Sequence, residues 1–318
     1  MALKRQPHSL LGPARAACLA LAGGLLSNGL TGCTTWISPA DHPGPLSPEW
    51  VRLTRPGPYA DSVQMQTHTL TSAYGCRLTY AMYRPADPPK DTATVVLAHG
   101  FQRSRDTLRG WATHWAGHGV PSIAVDLCNS TWLAGHHDRN AEDLQAIADA
   151  HQVTRRLYAG FSAGGLAALL AAEQDPAASA TLALDPVTTH RFAERLQGPQ
   201  SPRLLLFGQP SLCNAGNRAL AALQPATPEP SHGLAHELIL RIPHTSHCQF
   251  EWPQDNGCAR LCGQTQPLEL ARQHTLTLQA VATHWVLRQA RGNERPPARQ
   301  QTWLERLEQA GRVVRLRP

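Results

Sequence analysis

One short stretch, residues 160–164, constrains the fold of this chain more than any other part of its sequence. It reads Gly-Phe-Ser-Ala-Gly, with Ser162 at its centre. The apolar residues 157–159 before it predict a buried strand, and the Ala- and Leu-rich residues 166–173 after it predict a helix. A chain that turns this sharply from strand to helix leaves no room for side chains beside the turn, which explains the two flanking glycines. The stretch therefore predicts a tight turn that exposes the Ser162 hydroxyl.

Strand-like and helix-like segments alternate on both sides of this turn. A leading hairpin is predicted within residues 63–83, with its turn at Tyr74-Gly75. Further strands are predicted at residues 94–98, 122–126, 180–184, 203–207 and 237–242, and further helices at 107–118, 139–151 and 268–289. Alternation of this kind predicts an α/β fold, with a mostly parallel sheet and helices on both of its faces.

A second turn motif, Ala-His-Gly-Phe at residues 98–101, ends an earlier predicted strand about 60 residues before Ser162. The two motifs in this order resemble the α/β-hydrolase superfamily, and the resemblance covers roughly residues 60–290. It implies the α/β-hydrolase fold and a nucleophilic Ser162. It also implies an oxyanion hole formed by the backbone N–H groups of Phe101 and Ala163.

The resemblance further implies an acid and then a histidine after the nucleophile. The usual place for the acid is the loop after strand 203–207, but residues 208–214 hold no carboxylate. The preceding strand instead ends in Asp185, followed by Pro and Val. This arrangement is similar to plasma-type platelet-activating-factor acetylhydrolases and to chlorophyllases. Asp185 is therefore the expected acid, and the alternative is that it only caps a turn.

Two histidines in the loop after the last parallel strand compete for the role of the base. His247 lies five residues beyond the end of strand 237–242 and matches the position in the superfamily better than His244 does. We therefore expect His247 to be the base, with His244 as the alternative.

The amino-terminal residues predict export. Residues 1–32 contain Lys4, Arg5 and Arg15 and no carboxylate. The uncharged residues 16–30 are shorter than the roughly 20 residues that cross a membrane, which is typical of a signal-peptide core. Residues 30–33 read Leu-Thr-Gly-Cys and resemble a bacterial lipobox. The resemblance implies cleavage before Cys33 and a lipid on its sulfur, whereas a plain secretory signal is the alternative.

The residues around Cys33 refine this expectation. Thr rather than Asp follows Cys33, which by resemblance to enterobacterial sorting rules favours the outer membrane facing the periplasm; the plain secretory signal would make the protein secreted. Residues 34–58 hold six prolines and predict an extended tether before a domain that begins near Tyr59. The chain thus divides into a signal peptide at 1–32, a lipidated Cys with a tether at 33–58, a hydrolase domain at 59–291, and a linker with a short basic amphipathic helix at 292–318.

The net charge argues against a nucleic-acid partner. Loss of residues 1–32 halves the formal net charge from +6 to +3, and too little positive charge remains for a nucleic-acid-binding face.

The cysteines beyond Cys33 predict disulfides. Their even number in an oxidising compartment predicts up to three disulfides, with 15 pairings open. These are Cys76, Cys128, Cys213, Cys248, Cys258 and Cys262. Cys258 and Cys262 could pair with each other or each with another cysteine. Neither a metal nor a cofactor motif is present.

These features together predict an exported serine hydrolase that cleaves carboxylic esters of small molecules or lipids. It would need no cofactor and would reach the membrane through the lipid on Cys33. Two alternatives remain: acyl transfer or amide cleavage by the same residues, and a non-catalytic envelope protein with a hydrolase-like fold.

Overall fold

The computed structural model describes residues 43–131, 134–188, 192, 194–196, 199–223, 237–255, 257–258, 262, 266–292 and 299–316. The expected signal peptide and Cys33 lie outside the described residues.

The elements follow one another in the alternating order that the sequence predicts. The strands are β1 (Gln64–Thr71), β2 (Arg77–Arg84), β3 (Thr94–Ala98), β4 (Ser122–Asp126), β5 (Ser130–Thr131), β6 (Ala134–Gly135), β7 (Arg156–Phe161), β8 (Ala178–Leu184), β9 (Arg203–Phe207), β10 (Glu237–Arg241) and β11 (Val314–Arg315). The helices are α1 (Pro48–Leu53), α2 (Arg109–Gly117), α3 (His137–Ala150), α4 (Ala163–Gln174), α5 (Arg218–Ala222), α6 (Leu268–Ala290) and α7 (Arg299–Gln309).

A single large sheet organises the described residues. Its nine strands lie in the order β1-β2-β4-β3-β7-β8-β9-β10-β11, and β5 pairs with β6 separately. The six strands from β4 to β10 in this order run parallel, whereas β1, β2 and β11 form antiparallel edges. This confirms the predicted α/β architecture with a mostly parallel sheet.

Helices cover both faces of the sheet. Along β3, Val95 and Leu97 pack in the cluster that includes α2 and α6, whereas Val96 and Ala98 pack in the cluster that includes α3 and α4. Because both faces are buried, the central strands are continuously apolar rather than alternating. The carboxyl ends of the six parallel strands meet at one edge of the sheet, where loops from distant parts of the sequence converge.

The amino-terminal segment differs from the predicted tether. Residues 48–53 form α1, which begins at Pro48, and Trp50 is buried against Trp303 of α7. The backbone of Gly44 also donates to the carbonyl of Ala310. Proline fits the first turn of a helix, because its missing N–H would have no intrahelical partner there. The prediction of an extended tether, which was based on the number of prolines, is therefore wrong for residues 48–53.

The carboxyl-terminal segment also differs in detail. The short helix predicted within residues 292–318 is α7, which begins at residue 299 and ends before Gly311, whose φ is +66°. Leu304 and Leu307 are buried in the core. The chain then adds β11 to the edge of the sheet beside β10. None of the described helices combines the length and the apolar character needed to cross a membrane.

A largely buried histidine predicts how acid affects the stability of the fold. His284 of α6 packs against the rings of Trp50 and Trp303, and its Nε2 has no hydrogen-bond partner among the described residues. Burial, with a smaller contribution from Arg288, lowers the pKa of His284 from 6.5 to about 4. The stability that its neutral form contributes is therefore complete above pH 6.5 and is lost as the pH falls toward 4.

We accordingly expect His284→Phe to unfold less readily than the wild type in acid. The gain in unfolding free energy at pH 5, relative to pH 7.5, should be at most about 2 kcal/mol, and less where solvent reaches the ring. Urea titrations at the two pH values measure it. An equal difference between the two proteins at both pH values would contradict the assignment.

Candidate active site

Ser162 lies at the turn between β7 and α4, at the carboxyl edge of the sheet. Its backbone has φ of 55° and ψ of −120°, a conformation that non-glycine residues rarely adopt. The glycines beside it are required by close packing. A Cβ on Gly164 would lie 2.2 Å from the carbonyl oxygen of Ala98, and one on Gly160 would lie 2.1 Å from that of Gly164. The predicted strand–turn–helix is therefore present, with the backbone strained at the serine.

Ser162 is the first member of a hydrogen-bonded chain of three side chains. Its Oγ lies 3.0 Å from Nε2 of His247, and Nδ1 of His247 lies 2.6 Å from Oδ2 of Asp185. Ser162 follows β7, Asp185 follows β8, and the loop after β10 carries His247. The structure thus brings together the three residues that the sequence predicts. With its proton on Nδ1, the imidazole can accept the Ser162 proton while the carboxylate holds the ring in place.

Asp185 is completely buried, and its carboxylate accepts hydrogen bonds from the loop after β9. The backbone N–H of Gly208 donates to Oδ1 at 2.9 Å, and Nδ2 of Asn214 donates to Oδ2 at 3.1 Å. A buried carboxylate requires such donors, because an unpaired charge in the interior is costly. The loop after β9 contains no carboxylate, but its donors stabilise Asp185, which follows the neighbouring strand β8. Asn214 was not predicted, because nothing in the local sequence distinguishes it from an ordinary loop residue.

The loop that carries His247 is fixed by a capping box. Ser246 precedes a single helical turn, His247–Phe250, and exchanges hydrogen bonds with Gln249: its side chain accepts from the Gln249 backbone, and its backbone donates to Oε1 of Gln249 at 2.7 Å. The Nε2 of Gln249 donates in turn to the carbonyl of Ala271 in α6. The spacing Ser-x-x-Gln is visible in the sequence and could have identified this turn.

His244, the alternative base, points to another neighbour. Its backbone is left-handed, with φ of 57°, and its ring stacks on His274 of α6 with 5.8 Å between centroids. Its carbonyl accepts from Nε2 of Gln266. The geometry therefore selects His247, and not His244, as the partner of Ser162.

The His-Gly turn after β3 adjoins Ser162. A Cβ on Gly100 would lie 3.2 Å from Cβ of Ser162, so Phe101 begins a segment next to the hydroxyl. His99 fixes this turn, because its Nε2 accepts from the Leu127 backbone and its Nδ1 lies 2.7 Å from the Gly100 carbonyl. Burial lowers the pKa of His99, which favours the neutral ring that this bonding requires.

The two backbone amides expected to bind an oxyanion belong to segments that border Ser162. Ala163 is the first residue of α4, where N–H groups have no intrahelical partner and the helix dipole favours negative charge. Phe101 belongs to the segment after Gly100, and its own side chain is exposed.

A charge network joins the segments that follow Phe101 and His247. Nε of Arg103 lies 2.9 Å from Oε1 of Glu251, and Nη1 lies 2.6 Å from Oδ2 of Asp255. Burial raises the pKa of Glu251 to about 7, although Arg103 opposes the shift. This network holds the two loops against each other without touching Ser162.

The six cysteines pair at disulfide distance, and two of the pairs support the site. Cys213, next to Asn214, pairs with Cys262, and Cys248, next to His247, pairs with Cys258. Their Cα atoms are 5.6 and 5.7 Å apart. Cys76 pairs with Cys128 at 6.2 Å between Cα atoms. Cys258 and Cys262 therefore pair with separate loops rather than with each other.

No protein-family model and no curated protein sequence matches the chain.

Proposed function

We propose that the chain is a serine hydrolase of the α/β-hydrolase superfamily that cleaves carboxylic esters of small molecules or lipids. The single observation that carries the proposal is the continuous hydrogen-bonded chain from Ser162 through His247 to Asp185. The strained Ser162 backbone supports it, because strain of this kind is concentrated at functional sites. The order of strands around the turn supports the α/β-hydrolase fold.

Acylation begins at the Ser162 hydroxyl. Oγ attacks the ester carbonyl carbon while Nε2 of His247 takes the hydroxyl proton, because an alcohol at neutral pH is too weak a nucleophile alone. Asp185 keeps the Nδ1 proton in place and stabilises the imidazolium. The carbonyl oxygen becomes an oxyanion, which the N–H groups of Ala163 and Phe101 bind.

Collapse of this intermediate breaks the bond to the alcohol, and His247 returns the proton to the departing oxygen. A water molecule then attacks the acyl-serine ester, with His247 again accepting the proton. The second tetrahedral intermediate releases the carboxylic acid and restores Ser162. Acylation and deacylation use the same three side chains, so removal of any one of them should slow both steps.

An assay with p-nitrophenyl esters of increasing acyl length tests this function. We expect hydrolysis with a burst of p-nitrophenol where deacylation is slow, and matched anilides should react much more slowly. Added alcohol acceptors distinguish acyl transfer from hydrolysis. If the new ester, and not the free acid, were the main product at low acceptor concentration, the protein would be an acyltransferase and not a hydrolase. Absence of turnover with every ester and anilide would refute both enzyme assignments.

We also propose that the protein is exported to a bacterial cell envelope and held there by a lipid on Cys33. The lipobox-like residues support this proposal, and the three cysteine pairs are consistent with an oxidising compartment. Metabolic labelling with a palmitate analogue should mark the wild type and not Cys33→Ala. Equal labelling of the wild type and Cys33→Ala would contradict a lipid on Cys33.

A further inference from the structure

Asp185 receives two hydrogen bonds on the same carboxylate oxygen. Oδ2 lies 2.6 Å from Nδ1 of His247 and 3.1 Å from Nδ2 of Asn214. Asn214 is completely buried, so water does not compete for its amide. The oxygen that holds the imidazole is thus also held by a neutral amide from another loop.

The orientation of the Asn214 amide is fixed by its own neighbours. Its Oδ1 accepts from the backbone N–H of Ser211 at 2.7 Å, and Nδ2 also donates to the carbonyl of Gln209 at 2.7 Å. Exchanging the amide nitrogen and oxygen would leave both partners without a match. The adjacent Cys213 anchors the loop through Cys262.

We propose that Asn214 is a positioning residue that fixes the direction of the Asp185 carboxylate toward His247 and shares the charge of its Oδ2. The inference rests on the proposed function. An amide that donates to Oδ2 draws charge away from the bond to Nδ1, and it stops the carboxylate from rotating. The Gly208 N–H holds only the other oxygen, so Asn214 alone among the described side chains shares Oδ2 with His247.

Loss of this donor has an effect that a purely structural change would not produce. In Asn214→Ala the carboxylate charge acts undivided on the imidazolium and favours this protonated form over the neutral ring. The acid limb of kcat/KM should therefore move upward by about half a pH unit relative to the wild type. Glu251, whose pKa is raised by burial to about 7 and whose charge also acts on His247, is the same in both proteins, so the difference between them reports Asn214. We expect kcat to fall about tenfold with little change in KM, because the substrate does not touch Asn214.

The variant Asn214→Leu gives a second measurement. Leucine has the same branched shape as asparagine but offers no donor to Oδ2 of Asp185, so the acid limb should move upward as in Asn214→Ala. Because leucine leaves no cavity, this variant tests the inference where alanine prevents folding.

Asn217 provides the matched control. It lies in the same loop, is buried, and donates through Nδ2 to the Gly208 carbonyl at 3.0 Å, with a left-handed φ of 60°. Asn217→Gly removes this anchor without strain and without touching Asp185. We expect a lower unfolding midpoint but an unchanged acid limb.

NMR titration of the His247 imidazole, identified by its loss in His247→Asn, separates failure of this inference from failure of the proposed function. An upward shift of this titration in Asn214→Leu supports the inference even in a protein without esterase activity. A wild-type pKa and a wild-type acid limb in both Asn214 variants would overturn it. An acid limb that moves equally in Asn217→Gly would also overturn it.

Discussion

Ser162→Ala is expected to lower kcat for ester hydrolysis by about 10⁵–10⁶-fold, the order found when a serine nucleophile is removed. The hydroxyl is the only group of Ser162 that the hydrogen-bonded chain uses, and alanine retains the Cβ that packs near Gly100. The residual rate should be that of binding and oxyanion stabilisation without an acyl-enzyme. Steady-state kinetics with a reactive p-nitrophenyl ester have the range to measure this loss.

Ser179→Ala is the control for this variant. Ser179 lies near the amino end of β8, the end of that strand opposite Asp185, and its hydroxyl donates to the Arg156 carbonyl. We expect wild-type kcat from this control. Should Ser162→Ala retain more than about one hundredth of the wild-type kcat, Ser162 would not be the nucleophile.

His247→Asn is expected to be nearly as damaging, with a loss of about 10⁵–10⁶-fold in kcat. The asparagine can still occupy the space near Asp185, but it cannot accept the proton of Ser162 at the position of Nε2, 3.0 Å from Oγ in the wild type. The activity should not return at higher pH, because His247 is the base within hydrogen-bond reach of Ser162 Oγ among the residues that the structure describes.

The two histidines of one loop form a matched pair for this test. His244→Asn keeps a residue that tolerates the left-handed φ of 57° and removes only the ring that stacks on His274. We expect activity within about threefold of the wild type, the order of a change that removes no catalytic group. A large loss in His244→Asn with an active His247→Asn would reverse the assignment of the base.

Much of the central sheet could be predicted from local sequence. The strands predicted at residues 94–98, 122–126 and 203–207 coincide with β3, β4 and β9. Each is a short, continuous apolar run, because a parallel strand buried on both faces needs no polar residues. The position of Ser162 was equally local, since the flanking glycines report close backbone packing.

The parts that were not predicted depend on contacts between distant residues. The strand β11 is only two residues long and shows no alternating or apolar sequence pattern. It forms because the backbone groups at the outer edge of β10 are available for pairing. The helix α1 is stabilised by the burial of Trp50 against α7, which the prolines around it concealed. The pairing of the six cysteines could not be read from their spacing either.

The candidate site shows the same division. Chain order and the ends of strands were enough to bring Ser162, Asp185 and His247 to one point. The support of Asp185 by Asn214 was not predictable, because it depends on how the loop after β9 folds back over β8. The three residues of the candidate site were thus easier to predict from the sequence than the residues that support them.

Labelling with a fluorophosphonate tests the central claim most directly, because the reagent bonds to a serine only when a base and an oxyanion site activate it. Mass spectrometry of the labelled wild-type protein should show one phosphonyl group on the peptide that contains Ser162. The adduct should be absent from Ser162→Ala and should form far more slowly in His247→Asn. An unlabelled wild type, or an adduct that persists in Ser162→Ala, would contradict a catalytic Ser162.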